Sequence, residues 1–155
     1  MKNPNWLSDD EQKFWRLLLA ASRKVNHHIE TVLQDDHNLT SAEFAVLVNL
    51  SESPEKEIRL RDLCHILNWD RSRASHQVSR MQKRGLLTKR RCIGDGRGVI
   101  IELTDEGDRR IRNAAPSHVE SVRDVIFNNL DPELLEPVSK FLRHILDQPV
   151  GLARN

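Results

Sequence analysis

Two short stretches of the 155-residue sequence carry side chains suited to chemistry. Residues 89–104, KRRCIGDGRGVIIELT, set Lys89, Arg90 and Arg91 directly before Cys92, followed by a Gly-Asp-Gly-Arg-Gly run and an apolar segment. Positive charge beside a thiol favours the thiolate, the setting of a reactive cysteine, and hairpin ends are commonly exposed. Cys92 is therefore a candidate for oxidation to a sulfenic acid or a mixed disulfide. An incidental strand residue fits the same pattern equally well. The second stretch is RSRASHQVSRMQKR, residues 71–84. At a hundred degrees per residue, Ala74, Val78 and Met81 share one helical face, and Ser72, Arg73, His76, Ser79, Arg80 and Lys83 share the opposite one. That outer face has arginines, hydroxyls and an imidazole, and no acid. Arginine pairs with guanine O6 and N7, and serine bonds bases or phosphates. Residues near a recognition helix's N-terminal end reach the bases. Ser72, Arg73 and His76 are accordingly expected at base edges, with Ser75 and Gln77 on the margins. Arg80 and Lys83 are expected at phosphates.

The charge distribution supports that chemistry more than the net charge does. The chain as a whole is at +1, yet residues 71–97 hold nine Lys/Arg and one acid, between flanks that are each net acidic. A concentrated basic segment of this kind is the footprint of a nucleic-acid site, where a solvated charged face is the ordinary alternative. With 38% hydrophobic and 30% charged residues the chain has material for one core. Two cysteines, Cys64 and Cys92, make no disulfide framework. The N-terminal residues show no apolar signal segment, and Leu17 to Ala21 is too short to span a bilayer. A cytoplasmic protein with no membrane association is the expectation.

Ser8 with Glu11, and Thr40 with Glu43, read as capping boxes opening two helices. The first carries Phe14, Leu18, Ala21, Val25, Ile29 and Val32 on one stripe and ends near Asp36, longer than a small domain needs for its own core. Leu60, Leu63, Ile66 and Leu67 form the apolar side of a short helix, Asn68-Trp69-Asp70 a turn, and Asp70 the cap of a helix from Arg71 that Gly85 ends. Two helices across a three-residue turn are a helix-turn-helix. Residues 86–92 and 99–103 read as strands of a hairpin with a long glycine-rich tip. Thr104 opens another helix, which Pro116 is expected to kink or split. Asp131-Pro132 opens the last, with a distortion expected at Pro137. The fold class is mainly α with a small antiparallel β-hairpin wing: a winged helix-turn-helix.

LTSAEFAVLVNL, RLRDLCHILNWDRSRASHQVSRMQKRGLL and DGRGVIIELTDEG resemble the MarR family of winged-helix transcriptional regulators, over nearly the whole chain and in the family's order. Asp95, Arg97, Gly98, Leu103, Thr104 and Gly107 match the family's wing and the helix start after it. The resemblance implies a single domain over residues 1–155, with dimerisation helices in 1–38 and 108–155 and a winged helix-turn-helix lobe in 39–107. It implies a homodimer on a pseudo-palindromic operator in double-stranded DNA, with Arg97 in the minor groove and Asp95 orienting it. The residues agree: glycines let the loop turn tightly, a narrow minor groove attracts arginine, and an aspartate two positions away can hold the guanidinium. The best-known thiol-sensing members of the family it resembles carry their cysteine in the first helix, with tyrosine partners. Here that helix has no Cys and the chain has no Tyr.

The expected function is a DNA-binding regulator, a repressor, released by oxidation of Cys92. The alternative is release by a small aromatic or phenolic effector in a cleft between the DNA-binding lobe and the dimer helices. Lower in rank stand a metal sensor, since Cys64-His65 is a weak pair with His27, His28, His118 and His144 scattered, and a non-specific architectural binder. Cys64, on the apolar side of its helix, is expected to be buried and inert. No catalytic, cofactor-binding or metal constellation is present, and an enzyme is not expected.

Overall fold

The computed structural model describes residues 4–149. Helix α1 (Asp9–His37) starts at a reciprocal box in which Ser8 accepts from the Glu11 amide and the Glu11 carboxylate accepts from the Ser8 amide. Its 29 residues give a rod of about 44 Å. Leu33 alone in it is buried, while Phe14, Trp15 and Leu17 stand in the open. Asn38 ends α1 in the left-handed region, and Thr40 with Glu43 opens α2 (Ser41–Glu52) by a second box. Strand β1 (Glu57–Arg59), helix α3 (Leu60–Leu67) and helix α4 (Arg71–Lys83) follow. Strands β2 (Leu87–Cys92) and β3 (Asp95–Leu103) form the wing, and α5 (Asp105–Val122) and α6 (Pro132–Asp147) complete the chain.

The core lies under the helix-turn-helix. Leu39, Val46, Leu47 and Leu50 meet Leu63, Ala74, Val78 and Met81, with Leu86, Leu87, Ile101 and Ile111 closing the far side. Two arginines clamp the α1–α2 corner to the rest. Arg84, just past α4, donates to both carboxylate oxygens of the buried Glu43 at 2.6 Å and to the Asn38 carbonyl at 2.7 Å. Arg110 of α5 donates to the carbonyls of His37 and Asn38. Through Arg84 the end of α4 is tied to the junction of α1 and α2.

The Leu-Thr-Asp-Glu-Gly run after the wing has a local reason. The Thr104 hydroxyl accepts from the Gly107 amide at 3.0 Å and donates to the Gly85 carbonyl at 2.6 Å. A Cβ on Gly107 would stand 2.0 Å from the Leu86 carbonyl oxygen, so only glycine lets α5 start this close to the strand. Gly85, at φ 72°, makes the left-handed turn out of α4.

Three expectations are corrected. The wing is a three-stranded antiparallel sheet in the order β1-β3-β2, because Glu57–Arg59 pairs with Ile100–Glu102. Its tip is the two-residue turn Ile93-Gly94 instead of a long loop. β3 already begins at Asp95, which faces Cys92, and Val99 faces Arg91. Residues 96–98 therefore bulge opposite the Arg91–Cys92 step, placing Arg97 within the strand instead of at the tip. Finally, Pro116 does not split its helix: α5 is continuous through it, as α6 is through Pro137. The irregularity falls after α5, in a π-helical turn at Arg123–Phe127. Pro116 and the residue four before it, Arg112, are both exposed. The carbonyl freed by the proline therefore faces solvent, and packing of α5 on α1 and α2 holds the helix.

Phe44 of α2 stacks on His118 of α5, ring centroids 4.2 Å apart and planes 20° from parallel. Burial there pushes the His118 imidazole below its ordinary value. The unfolded chain then binds the proton more tightly than the folded one. The stability from this contact is full above the ordinary histidine range and drains as pH falls below about 6.5. Urea midpoints of His118→Phe should consequently fall less between pH 7.5 and 5.5 than those of the wild type. Parallel losses would remove His118 from this role.

Candidate nucleic-acid interface

Helix α4 presents the face that its periodicity predicts. Ala74, Val78 and Met81 are fully buried, and Ser72, Arg73, Ser75, His76, Arg80 and Lys83 are exposed. The Asp70 carboxylate accepts from the Arg73 amide at 2.8 Å and fixes the start of the helix. Trp69 then adds a contact that the helical pattern did not single out. The Arg73 guanidinium lies over its ring, 4.5 Å from the centroid. A cation stacked on an indole is held in place while its edge N–H groups stay free to donate. The signal in the sequence is the four-residue step from Trp69 to Arg73, which crosses the turn.

Gln77 departs from its expected place at the margin of the contact face. It is 4% exposed, and its side-chain oxygen accepts from Arg80. Its position is thus that of a brace beneath Arg80, itself on the outer face.

The basic residues after α4 divide into two sets. Arg90 is tied into the sheet, donating to Glu102 at 2.5 Å and to Glu57 at 2.7 Å. These bonds hold the Glu102 carboxyl below the usual carboxylate range and the guanidinium above its own. With Arg84 bound to Glu43, two of the nine cations in residues 71–97 serve the fold. Lys89 reaches back to the Ser79 hydroxyl at 3.1 Å, joining wing to helix. Arg71, Arg73, Arg80, Lys83 and Arg91 remain on the surface. The side chains of Asp95 and Arg97, expected as the orienting acid and the minor-groove arginine, lie outside the described residues.

Both cysteines depart from the environments expected of them. Cys92 is 7% exposed, buried at the register irregularity of the wing, where an exposed thiol was expected. Of the three cations before it, Arg90 is taken up by two carboxylates. Cys64, expected in the core, is half-buried and lines a surface cavity between α3, α4 and β3. Among the described residues no group of three or more His, Cys, Asp or Glu could hold a metal ion. No described helix is long and apolar enough to cross a membrane.

Helix α6 has no buried residue, and Leu134, Leu135, Val138, Leu142, Ile145 and Leu146 stand exposed along it. A described aromatic contact to its own chain is Phe141 meeting Phe14 edge-on at 5.3 Å. The exposed apolar residues of α1 complete a surface of the kind that marks an interaction site.

Comparison with known proteins agrees with this architecture. The family described as transcriptional regulator SarA/Rot matches residues 28–114. The crystal structure of Sco3205, a MarR family transcriptional regulator from Streptomyces coelicolor in complex with DNA, is similar at 34% identity and a TM-score of 0.90. It is matched over 98% of this chain and 97% of that one. AbsC, a MarR family regulator from the same organism, is 38% identical with a TM-score of 0.86, over 92% of this chain and 96% of that one. The organic hydroperoxide resistance transcriptional regulator of Bacillus subtilis is 29% identical over 97 residues, which are 63% of this chain and 64% of that protein. With the capped α4, the three-stranded wing and these matches in agreement, the chain belongs to the MarR family of winged-helix transcriptional regulators, a non-enzymatic class.

Proposed function

We propose that the protein is a homodimeric, sequence-specific DNA-binding repressor that lays α4 in the major groove of a pseudo-palindromic operator, with the wing reaching the adjacent minor groove. The observation that carries this reading is the one-sided outer face of α4, where Arg73 is pre-set by Trp69 and the helix start by Asp70. The DNA-bound relative supports it, as does the exposed apolar surface of α1 and α6, which fits a second copy of the chain. Selection of duplexes from a random pool tests it. The account expects a two-fold symmetric consensus whose half-sites lie about 34–36 Å apart, one helical turn. Selection that returns no consensus would remove the reading.

For the release signal, a small aromatic or phenolic effector in the cleft between the DNA-binding lobe and the dimer helices is the better supported reading. Cys92 is buried, and one of its three neighbouring cations is engaged by two carboxylates. The clamp of Arg84 and Arg110 on the α1–α2 corner gives such an effector a mechanical route to α4. Oxidation of Cys92 is the second reading, favoured by the similarity to a regulator named for organic hydroperoxide resistance. A peroxide titration separates them. If Cys92 is the sensor, peroxide weakens operator binding of the wild type, a thiol reductant restores it, and Cys92→Ser keeps its DNA affinity without responding. Equal peroxide release of Cys92→Ser and wild type would exclude the second reading.

A further inference from the structure

The wing ends in a single large side chain. Cys92 faces Asp95 across the hairpin, so Ile93 and Gly94 make the whole turn. Gly94 takes a φ of 83°, which glycine adopts at no steric cost. Ile93 is 100% exposed, more than any other large hydrophobic side chain among the described residues. Tight turns favour Gly, Pro, Asn, Asp and Ser, whereas a β-branched side chain suits the pleated surface of a strand. Ile93 therefore serves neither the turn nor the core. The exposed apolar residues of α1 and α6 follow one another along two long helices, while Ile93 stands alone at the end of the sheet. Its base is fixed. Cys92, the residue before it, is buried at the register break between Arg91 and Cys92. A break of this kind bends the strand and re-aims the side chains next to it.

We propose that Ile93 is an apolar wedge that enters the DNA minor groove and opens the base stack at one step on each flank of the operator. The inference rests on the function proposed above, which takes the wing to that groove. The surroundings of the tip favour DNA as what it meets. Residues 71–97 hold nine Lys/Arg and one acid, and Arg91, two positions before Ile93, is exposed. An apolar point on a basic surface suits a polyanion whose groove has deoxyribose walls. The dimensions favour a wedge over a hairpin lying in the groove. The minor groove of B-DNA is about 6 Å wide, and two paired strands stand about 4.8 Å apart before their side chains are added. The hairpin is too broad for an undeformed groove, and only the leading side chain of the turn can enter. Apolar side chains, isoleucine among them, insert between base steps, partly unstack them and kink the duplex. Unstacking is easiest at flexible pyrimidine–purine steps. The wedge therefore adds a sequence preference at bases that no side chain hydrogen-bonds.

Two substitutions separate a wedge from a structural role. Ile93→Ser puts a turn-forming residue at the tip and should leave the thermal midpoint unchanged or raise it. Ile93→Leu keeps the apolar volume. The probe is the duplex selected by the wild type, carrying in turn at each flanking position a fluorescent adenine analogue that brightens on unstacking. Wild type and Ile93→Leu should raise the fluorescence severalfold at one step on each flank, and Ile93→Ser should leave it at the level of the free duplex. Ile93→Ser should also bind the selected duplex about tenfold more weakly than wild type. Replacing the flanking step by a stiff A-tract should weaken wild-type binding by about tenfold and that of Ile93→Ser by less than about twofold. A folded Ile93→Ser protein with wild-type affinity, fluorescence and step preference would overturn the proposal, as would a wild type that leaves every flanking base stacked. Where the wild type still prefers its selected duplex to a scrambled one, either result leaves the function proposed above standing. A wild type without that preference would overturn the function and the wedge together.

Discussion

Replacing Arg73 by alanine should cost the specific complex about 1–3 kcal/mol, the range of a lost bidentate contact to a base, and relax preference at one base pair per half-site. Non-specific binding should change far less, because Arg80 and Lys83, the residues expected at phosphates, stay in place. The geometry sharpens the expectation. Arg73 sits one turn into a helix whose start is fixed by Asp70, with its guanidinium stacked on Trp69. Arg73→Lys should rescue little, since an ammonium has neither the planar fork nor the stacking face. Trp69→Ala keeps the arginine and removes its platform, so it should cost about 0.5–1 kcal/mol, less than the loss of the arginine itself. Anisotropy titrations of the selected duplex and a scrambled one give both numbers. An Arg73→Ala protein with wild-type affinity and selectivity across salt would remove α4 from the base-reading role.

The double substitution Leu135→Lys with Leu142→Lys should convert the protein to monomer at micromolar concentration. In the single chain these residues are 50% and 47% exposed, so charging them costs the isolated fold little. If a second copy covers them, each lost side chain removes about 1.5–3 kcal/mol of burial, on both sides of the two-fold axis. Dimer dissociation should then strengthen by several orders of magnitude. Operator affinity should fall with it, because a monomer engages one half-site and loses the effective concentration of the second. Sedimentation of the variant reads the assembly and far-UV dichroism its fold. A folded dimer unchanged by the two charges would place the interface elsewhere.

The elements that the sequence marked most clearly are those closed by local chemistry. Ser8 with Glu11, Thr40 with Glu43, Asp70 and Thr104 are caps whose partners lie three residues away, so helix starts are legible without the fold. The outer face of α4 is legible for the same reason, as a one-period pattern. Features that depend on distant partners were not. Strand β1 is three residues long and exists because β3 offers an edge. Gln77 is buried and accepts from the exposed Arg80, although its position lies between the two faces. In β2 the buried residues are Leu87 and Cys92, five apart, which breaks the two-residue alternation. The register slip at Arg91–Cys92 buries that thiol, and nothing in its neighbours' identities announces the slip. Cys64 errs in the opposite direction. It stands four residues after Leu60 on an amphipathic helix, yet a cavity opens beside it where α3 meets the wing.

The proposal of sequence-specific recognition is tested most directly by binding to the selected duplex and to a scrambled duplex across a series of salt concentrations. The account predicts at least about a thousandfold preference for the selected duplex at physiological salt. It also predicts affinity for both duplexes falling steeply as salt rises, with the logarithmic slope set by the phosphates engaged. Equal affinity for the two duplexes at every salt concentration would contradict it and leave a general DNA-coating protein in its place.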